Sequence, residues 1–276
     1  MHPAMRTPFI KMHGLGNDFI VLDAREKAIP EMTSMVARAL ADRHTGIGCD
    51  QVIVLEPIVN TDQADFRMRI FNCDGAEVEA CGNAARAVAL LHGSEASVQT
   101  GGGIITLEPA EGGASVDMGV PRFDWESIPL AYAMDTNSMP VGWETLENPM
   151  AVNVGNPHVV FFVENAGAVD LERLGPEIES DPLFPQGVNV NVVSLAGEDH
   201  ICVRVWERGA GLTRACGTGA CASAVASIIR GLVSSPVRVS LPGGAIAIEY
   251  RTGGSIRMTG PASEAFRGEF DWNDYS

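Results

Sequence analysis

Two tripeptides in this chain carry the residue types for proton chemistry: Cys81-Gly82-Asn83 and Cys216-Gly217-Thr218. Each follows a loop and opens a run of Ala, Val and other small residues, Asn83–Leu91 and Thr218–Leu232, so each cysteine is expected at the start of a helix. A helix N-terminus presents unpaired N–H groups and partial positive charge. That setting lowers a thiol pKa from about 8.5 toward neutrality and makes a thiolate accessible. The glycine lets a ligand approach the backbone, and the N–H groups can hold a carboxylate. Two such starts facing one carboxylate would put a sulfur on each face of the attached carbon. A thiolate could then remove a proton from one face while a thiol delivers one to the other, which is inversion. The alternatives stay open at this point. Either cysteine can be a packing or capping residue. A redox pair lacks the Cys-x-x-Cys spacing, and Cys216-x₄-Cys221 has no second pair to complete a zinc site.

The elements that position these cysteines are written twice. Gly102–Pro121 and Gly243–Pro261 both run from a Gly-Gly turn through an alternating strand to a Glu. A second Gly-Gly turn and a second strand follow, ending in Met and then Pro. Upstream, Arg69–Gly82 parallels Arg204–Gly217, again a strand, a Gly-containing loop and Ala-Cys-Gly. Further upstream, Leu15-Gly16-Asn17 parallels Val154-Gly155-Asn156. The period is too long for a solenoid, so the pattern predicts two homologous domains. Phe19–Asp23, Gln51–Glu56 and Asp65–Phe71 read as strands. Glu31–Asp42 reads as a helix with Met32, Met35, Val36, Ala39 and Leu40 on one face. The cysteine-led segments are apolar on most sides, which predicts helices surrounded by other elements. The expected fold is α/β: two domains, each a mixed, largely antiparallel sheet curled around a central helix, with the active site in the interdomain cleft. The N-terminal domain is expected over 1–122 plus about 262–276, and the C-terminal domain over 123–261.

Composition narrows the partners. With 276 residues, 46% of them apolar, the chain can bury two cores. A net charge of −16 repels phosphates and anionic lipid, which argues against nucleic acid or membrane partners. The N-terminus has no signal-like apolar region, and the chain reads as cytoplasmic. Six cysteines in a chain of this length do not suggest a disulfide scaffold. Only Lys11 and Lys27 could form a Schiff base, and neither lies in a recognisable cofactor loop.

Lys11–Asp23 (KMHGLGNDFIVLD), Arg69–Arg86 (RIFNCDGAEVEACGNAAR), Gly155–His158 (GNPH) and Trp206–Ala222 (WERGAGLTRACGTGACA) closely resemble the diaminopimelate epimerase family. Leu241–Gly244 and Met258–Ala262 match as well, so the resemblance runs in order over nearly the whole chain. It implies a cofactor-independent epimerase interconverting LL- and meso-diaminopimelate, in cytoplasmic lysine and peptidoglycan precursor synthesis, as a possible homodimer. It implies Cys81 as proton donor and Cys216 as proton acceptor in the LL-to-meso direction. Gly82, Asn83, Gly217 and Thr218 match residues holding the reacting amino-acid head. Asn72, Asn156, Asn189 and Arg208 match those gripping the distal head, with Glu207 nearby, and Asn17 and Gln51 match further binding positions. His158 and Glu207 match groups that tune the cysteines. No metal or cofactor is implied.

Three positions depart from the family pattern. Ala84 stands where Cys-Gly-Asn-Gly is usual, Leu212 where Glu is common, and Arg214 sits beside Cys216. A cation there would favour the thiolate. The rival readings are a racemase of another amino acid on the same scaffold, and a non-catalytic amino-acid binding protein. The proline racemase branch typically has Ser-Pro before Cys-Gly-Thr-Gly, where this chain has Arg214-Ala215.

Overall fold

The computed structural model describes residues 5–58, 63–79, 81–110 and 113–275. Ala80 and the Glu111-Gly112 part of one repeat turn, both within the duplicated segments, lie outside the described residues. The chain divides into two compact units, Met1–Val116 with Pro261–Ser276, and Asp117–Gly260.

In the first unit, β1 (Arg6–Gly14) and β2 (Asn17–Asp23) form a hairpin. Its turn uses left-handed backbone at Leu15 and Gly16. After α1 (Ser34–Ala41), β3 (Gln51–Pro57) pairs parallel to β2, and β4 (Phe66–Asn72) pairs antiparallel to β3. The short β5 (Glu77–Val78) leads into α2 (Gly82–His92). Then β6 (Ala96–Thr100) joins β4 in parallel, and β7 (Gly103–Ala110) and β8 (Gly113–Asp117) continue antiparallel. The C-terminal strand Ser263–Asp271 returns to pair with β1.

The second unit repeats the plan. A small hairpin, β9 (Gly142–Trp143) and β10 (Leu146–Glu147), precedes β11 (Met150–Asn153) and β12 (Pro157–Phe162), which pair antiparallel. After α3 (Leu171–Glu179), β13 (Asn189–Gly197) runs parallel to β12 and β14 (His200–Glu207) antiparallel to β13. Next come β15 (Gly211–Thr213), α4 (Gly217–Ile229) and β16 (Val237–Leu241), which lies parallel to β14. The hairpin β17 (Gly244–Tyr250) and β18 (Ile256–Gly260) closes the unit. The fold is thus mixed α/β, mostly sheet, built twice.

Strand periodicity decides which side chains face the central helices. In the second unit Val159, Phe161, Val190, Val192 and Trp206 pack with Leu171, Leu174 and Ile178 of α3. The intervening His158, Asn189, Asn191, Val205 and Glu207 therefore point the other way, toward α4. That helix is buried from Gly217 through Ser227 and touches β11 through β14 and β16 through β18. A helix of Gly, Ala and Ser fits so tight a wrap because small side chains let strands approach on every side. In the first unit Ile20, Leu22, Val52, Val54 and Phe71 pack on α1, leaving Phe19, Gln51, Ile53 and Asn72 on the opposite face.

α1 is shorter than its apolar pattern predicts. Thr33 caps it, its side chain accepting from the Val36 N–H, so Met32 is buried ahead of the helix rather than on it. Starting at Ser34 turns Met35 outward, where it is 66% exposed. Among the described residues, no helix is long and apolar enough to cross a membrane.

Candidate active site

Cys81 and Cys216 are the N-cap residues of α2 and α4. Each has extended backbone, and each sulfur accepts the N–H three residues on: Ala84 N–H at 3.4 Å and Gly219 N–H at 3.3 Å. This is the helix-capping geometry of a Ser or Asp, with sulfur in place of oxygen. The Ala84 departure therefore keeps the N–H that its position supplies. At the equivalent Gly219 an added methyl would lie 2.8 Å from both Asn191 Oδ1 and Val205 Cγ2, so only glycine fits.

Around Cys81 the first unit gathers amides. The sulfur lies 3.8 Å from Asn17 Oδ1, which also accepts from Asn83 Nδ2 at 3.1 Å. Asn17 in turn donates to Asp50 at 3.0 Å. Asp50 and Asp18 share Arg43, and Lys11 pairs with Asp18 at 2.6 Å. Burial works against ionisation of Asp18, but the bonds from Arg43 and Lys11 outweigh it and hold the carboxyl at about 2. Gln51 and Asn72 sit opposite each other on β3 and β4, and Gln51 Nε2 donates to Asn72 Oδ1 at 2.9 Å. Arg86, fully buried, donates to Asn83 Oδ1 at 2.6 Å and to the Gly82 carbonyl at 3.4 Å. It fixes the amide beside Cys81. The apolar run around Arg86 gives no hint of that role in the sequence.

Around Cys216 the second unit places charge. Thr218 Oγ1 is 3.4 Å from the sulfur. Glu207 accepts from Thr213 Oγ1 at 2.5 Å and acts on Cys216 as both charge and hydrogen-bond partner. Burial, with the Glu207 charge adding to it, pushes the Cys216 thiol well above its ordinary range; the Thr218 and Gly219 bonds pull the other way and lose. This reverses the expectation that a helix start leaves the thiol near neutrality. Arg214 is exposed, and the charge that acts on this sulfur is the carboxylate.

His158, completely buried, bonds Asn156 Oδ1 through Nε2 at 2.9 Å and Asn191 through Nδ1 at 3.0 Å. Burial drives its pKa down to about 3, so the ring is neutral. Asn189 Nδ2 donates to the Pro157 carbonyl at 2.8 Å, and its Oδ1 accepts the Arg208 N–H at 3.0 Å. The Arg208 guanidinium, at the exposed end of this row, holds the Gln186 carbonyl at 2.9 Å. Within each unit the anticipated residues are thus brought together. Gln51 and Asn189 hold the same register position in the two repeats, as do Asn72 and Glu207. Asn191, which links His158 to the face of α4, is the binding-face residue that the sequence pattern did not single out.

The remaining cysteines, 49, 73, 202 and 221, are in the thiol form. Burial pushes Cys49 up to about 12, which makes it inert. Among the described residues no group of three or more His, Cys, Asp or Glu could hold a metal ion.

The neutral His158 has a consequence for acid stability. Unfolding frees an imidazole of ordinary pKa about 6.5, so between pH 6.5 and 3 the unfolded chain binds the extra proton. Stability should therefore fall as pH drops below about 6.5, by a few kcal/mol in all. Asp18 contributes only below its ordinary value of 3.8. Thermal unfolding from pH 7 to 4.5 should show His158→Gln losing less Tm than the wild type. Parallel losses would mean that another group is responsible.

The family model for diaminopimelate epimerase matches residues 9–123 and again 150–264, once on each repeat. A diaminopimelate epimerase of Erythrobacter litoralis is 68% identical over 272 residues, covering 99% of this chain and all of the relative. One of Rhizorhabdus wittichii is 61% identical, covering 97% of this chain and 96% of the relative. Among solved structures, a phenazine biosynthesis protein of Bacillus anthracis superposes with a TM-score of 0.68 at 15% identity, covering 96% of this chain and 99% of that one. A hydroxyproline epimerase from Agrobacterium vitis gives 0.66 at 14%, covering 96% and 92%. At those identities the likeness establishes the fold alone.

Proposed function

This chain belongs to the diaminopimelate epimerase family and is an isomerase that interconverts LL- and meso-2,6-diaminopimelate; we propose that it does so by two-base proton transfer between Cys81 and Cys216. One observation carries the mechanism: the two sulfurs cap equivalent helices in the two repeats, each at a helix N-terminus whose backbone N–H groups and partial positive charge suit a carboxylate. The N–H groups of Gly82, Asn83, Gly217 and Thr218 hold the reacting carboxylate. The sulfurs act on opposite faces of its α-carbon, Cys216 removing the proton and Cys81 delivering one in the LL-to-meso direction. Because Glu207 and burial keep Cys216 protonated in the ligand-free protein, its thiolate must form on substrate binding. The α-ammonium of the substrate supplies the favourable charge, and Glu207 lies in reach as acceptor for the thiol proton.

The amides of Asn72, Asn156 and Asn189 and the guanidinium of Arg208 bind the distal head, with Glu207 nearby, fixing one stereocentre while the other inverts, and Asn17 and Gln51 supply further binding contacts. The reaction needs no cofactor on this reading. Its setting is cytoplasmic lysine and peptidoglycan precursor synthesis, and the working form is a homodimer, readings supported by the family resemblance.

The test is incubation with LL-diaminopimelate in D₂O without added cofactor, followed by NMR and chiral chromatography. Meso product carrying solvent deuterium at the inverted carbon is the expected result. Inversion with retention of the original hydrogen, or inversion only after a cofactor is added, would overturn the two-base scheme.

A further inference from the structure

We propose that Asn191 is a positioning residue that locks His158 as the neutral imidazole protonated on Nε2, and through that proton fixes which end of the Asn156 amide meets the substrate. The part concerning Asn156 rests on the function proposed above; the part concerning the imidazole does not.

Asn191 is completely buried on β13, and its Nδ2 lies 3.0 Å from the Val159 carbonyl oxygen and 3.0 Å from His158 Nδ1. A carbonyl can only accept, so turning the amide over would set two oxygens against each other. With the NH₂ group held in place, His158 Nδ1 must be the acceptor, and the ring proton belongs on Nε2. Nε2 lies 2.9 Å from Asn156 Oδ1, which accepts that proton. The Asn156 oxygen is thereby engaged, and its amide NH₂ is the end left for a ligand carboxylate. A second proton on the ring would point Nδ1–H at the NH₂ group of Asn191, donor against donor. The charged group acting on the ring, Arg208, opposes protonation as well.

Two further observations separate this arrangement from ordinary packing. Among the described residues the Asn191 oxygen is buried without a hydrogen-bond partner, which a fold tolerates only where turning the amide is worse. That oxygen also borders the place where α4 begins: an added methyl at Gly219 would lie 2.8 Å from it and 3.2 Å from Cys216 Sγ. Moreover, the register positions of His158 and Asn191 are occupied in the first repeat by Phe19 and Ile53. The duplicated sheet does not need polar groups there, so the pair serves something particular to the half that holds Cys216.

The test is ¹⁵N NMR of the histidine-labelled protein, with the His158 signals assigned by their absence from His158→Gln. The wild type should show Nε2–H and bare Nδ1, unchanged from pH 8 to pH 5. The opposite tautomer, or protonation within that range, would overturn the proposal. Asn191→Asp puts an atom that can only accept against Nδ1, so the proton should move to Nδ1. Asn156 should then turn its amide over, and KM for diaminopimelate should rise at least tenfold while kcat changes less. If the tautomer switches and KM does not move, the link to substrate fails. If Asn191→Asp does not fold, the wild-type spectrum still decides. Asn156→Ala with unchanged KM would refute the binding role of Asn156, an outcome distinct from any change in the imidazole spectrum.

Discussion

Replacing either Cys81 or Cys216 by serine is expected to lower turnover by about 10³-fold or more while diaminopimelate still binds. A serine hydroxyl keeps the size and the helix cap, since oxygen accepts an N–H at least as well as sulfur does. It cannot ionise near neutral pH, so it replaces the cysteine structurally and not as acid or base. The two variants should differ in a second measurement. With Cys81→Ser, Cys216 can still remove and return the proton of the LL isomer, so exchange with D₂O should outlast inversion from the LL side. With Cys216→Ser, the residual exchange should favour the meso side. Turnover within tenfold of wild type in either variant, with the fold intact, would end the two-base scheme.

Arg208 is expected to carry the next largest effect. Among the described residues the guanidinium holds only a backbone carbonyl, that of Gln186, while the Arg208 backbone N–H is anchored to Asn189. It is therefore a fork held in place at its base, able to take a carboxylate in bidentate fashion. Arg208→Leu should lower kcat/KM for diaminopimelate by about 10²–10⁴-fold, because the distal carboxylate would enter a site with no charge to meet it. Arg208→Lys should recover part of that loss, since charge returns without the planar fork. L-Lysine, offered as a comparison ligand, lacks the distal carboxylate, and the preference for binding diaminopimelate over it should collapse in the leucine variant. A change below threefold would place the distal head elsewhere.

The duplication was open to reading because its markers are residues with backbone consequences. The alternating strands beside the Gly-Gly pairs became β7, β8, β17 and β18, and both Cys-Gly pairs became helix starts. What stayed hidden depended on which face a residue took. Asn191 stands among valines in Asn189–Val193, and it takes the packing of Val190 and Val192 on α3, with the approach of its oxygen to Gly219, to show that it points to α4. Arg86 reads as an interruption of an apolar helix, yet it is buried because Gly82 and Asn83 supply acceptors for its guanidinium. The state of Cys216 was also out of reach. The helix start argued for a lowered pKa, but the position of Glu207 on the neighbouring strand, together with burial, decided the sign. α3 carries Pro176 within its span, which masks a helix that the apolar cluster around Leu171, Leu174 and Ile178 nevertheless holds.

The C-terminal strand bears on how the molecule is made. A ribosome delivers residues 117–260 as one unbroken stretch that contains every strand and helix of its unit. The other unit begins earlier but waits for Ser263–Asp271, whose pairing with β1 spans nearly the whole of that strand. Until then β1 offers an open edge during synthesis, the condition under which nascent chains pair wrongly. The half that starts first is thus completed last.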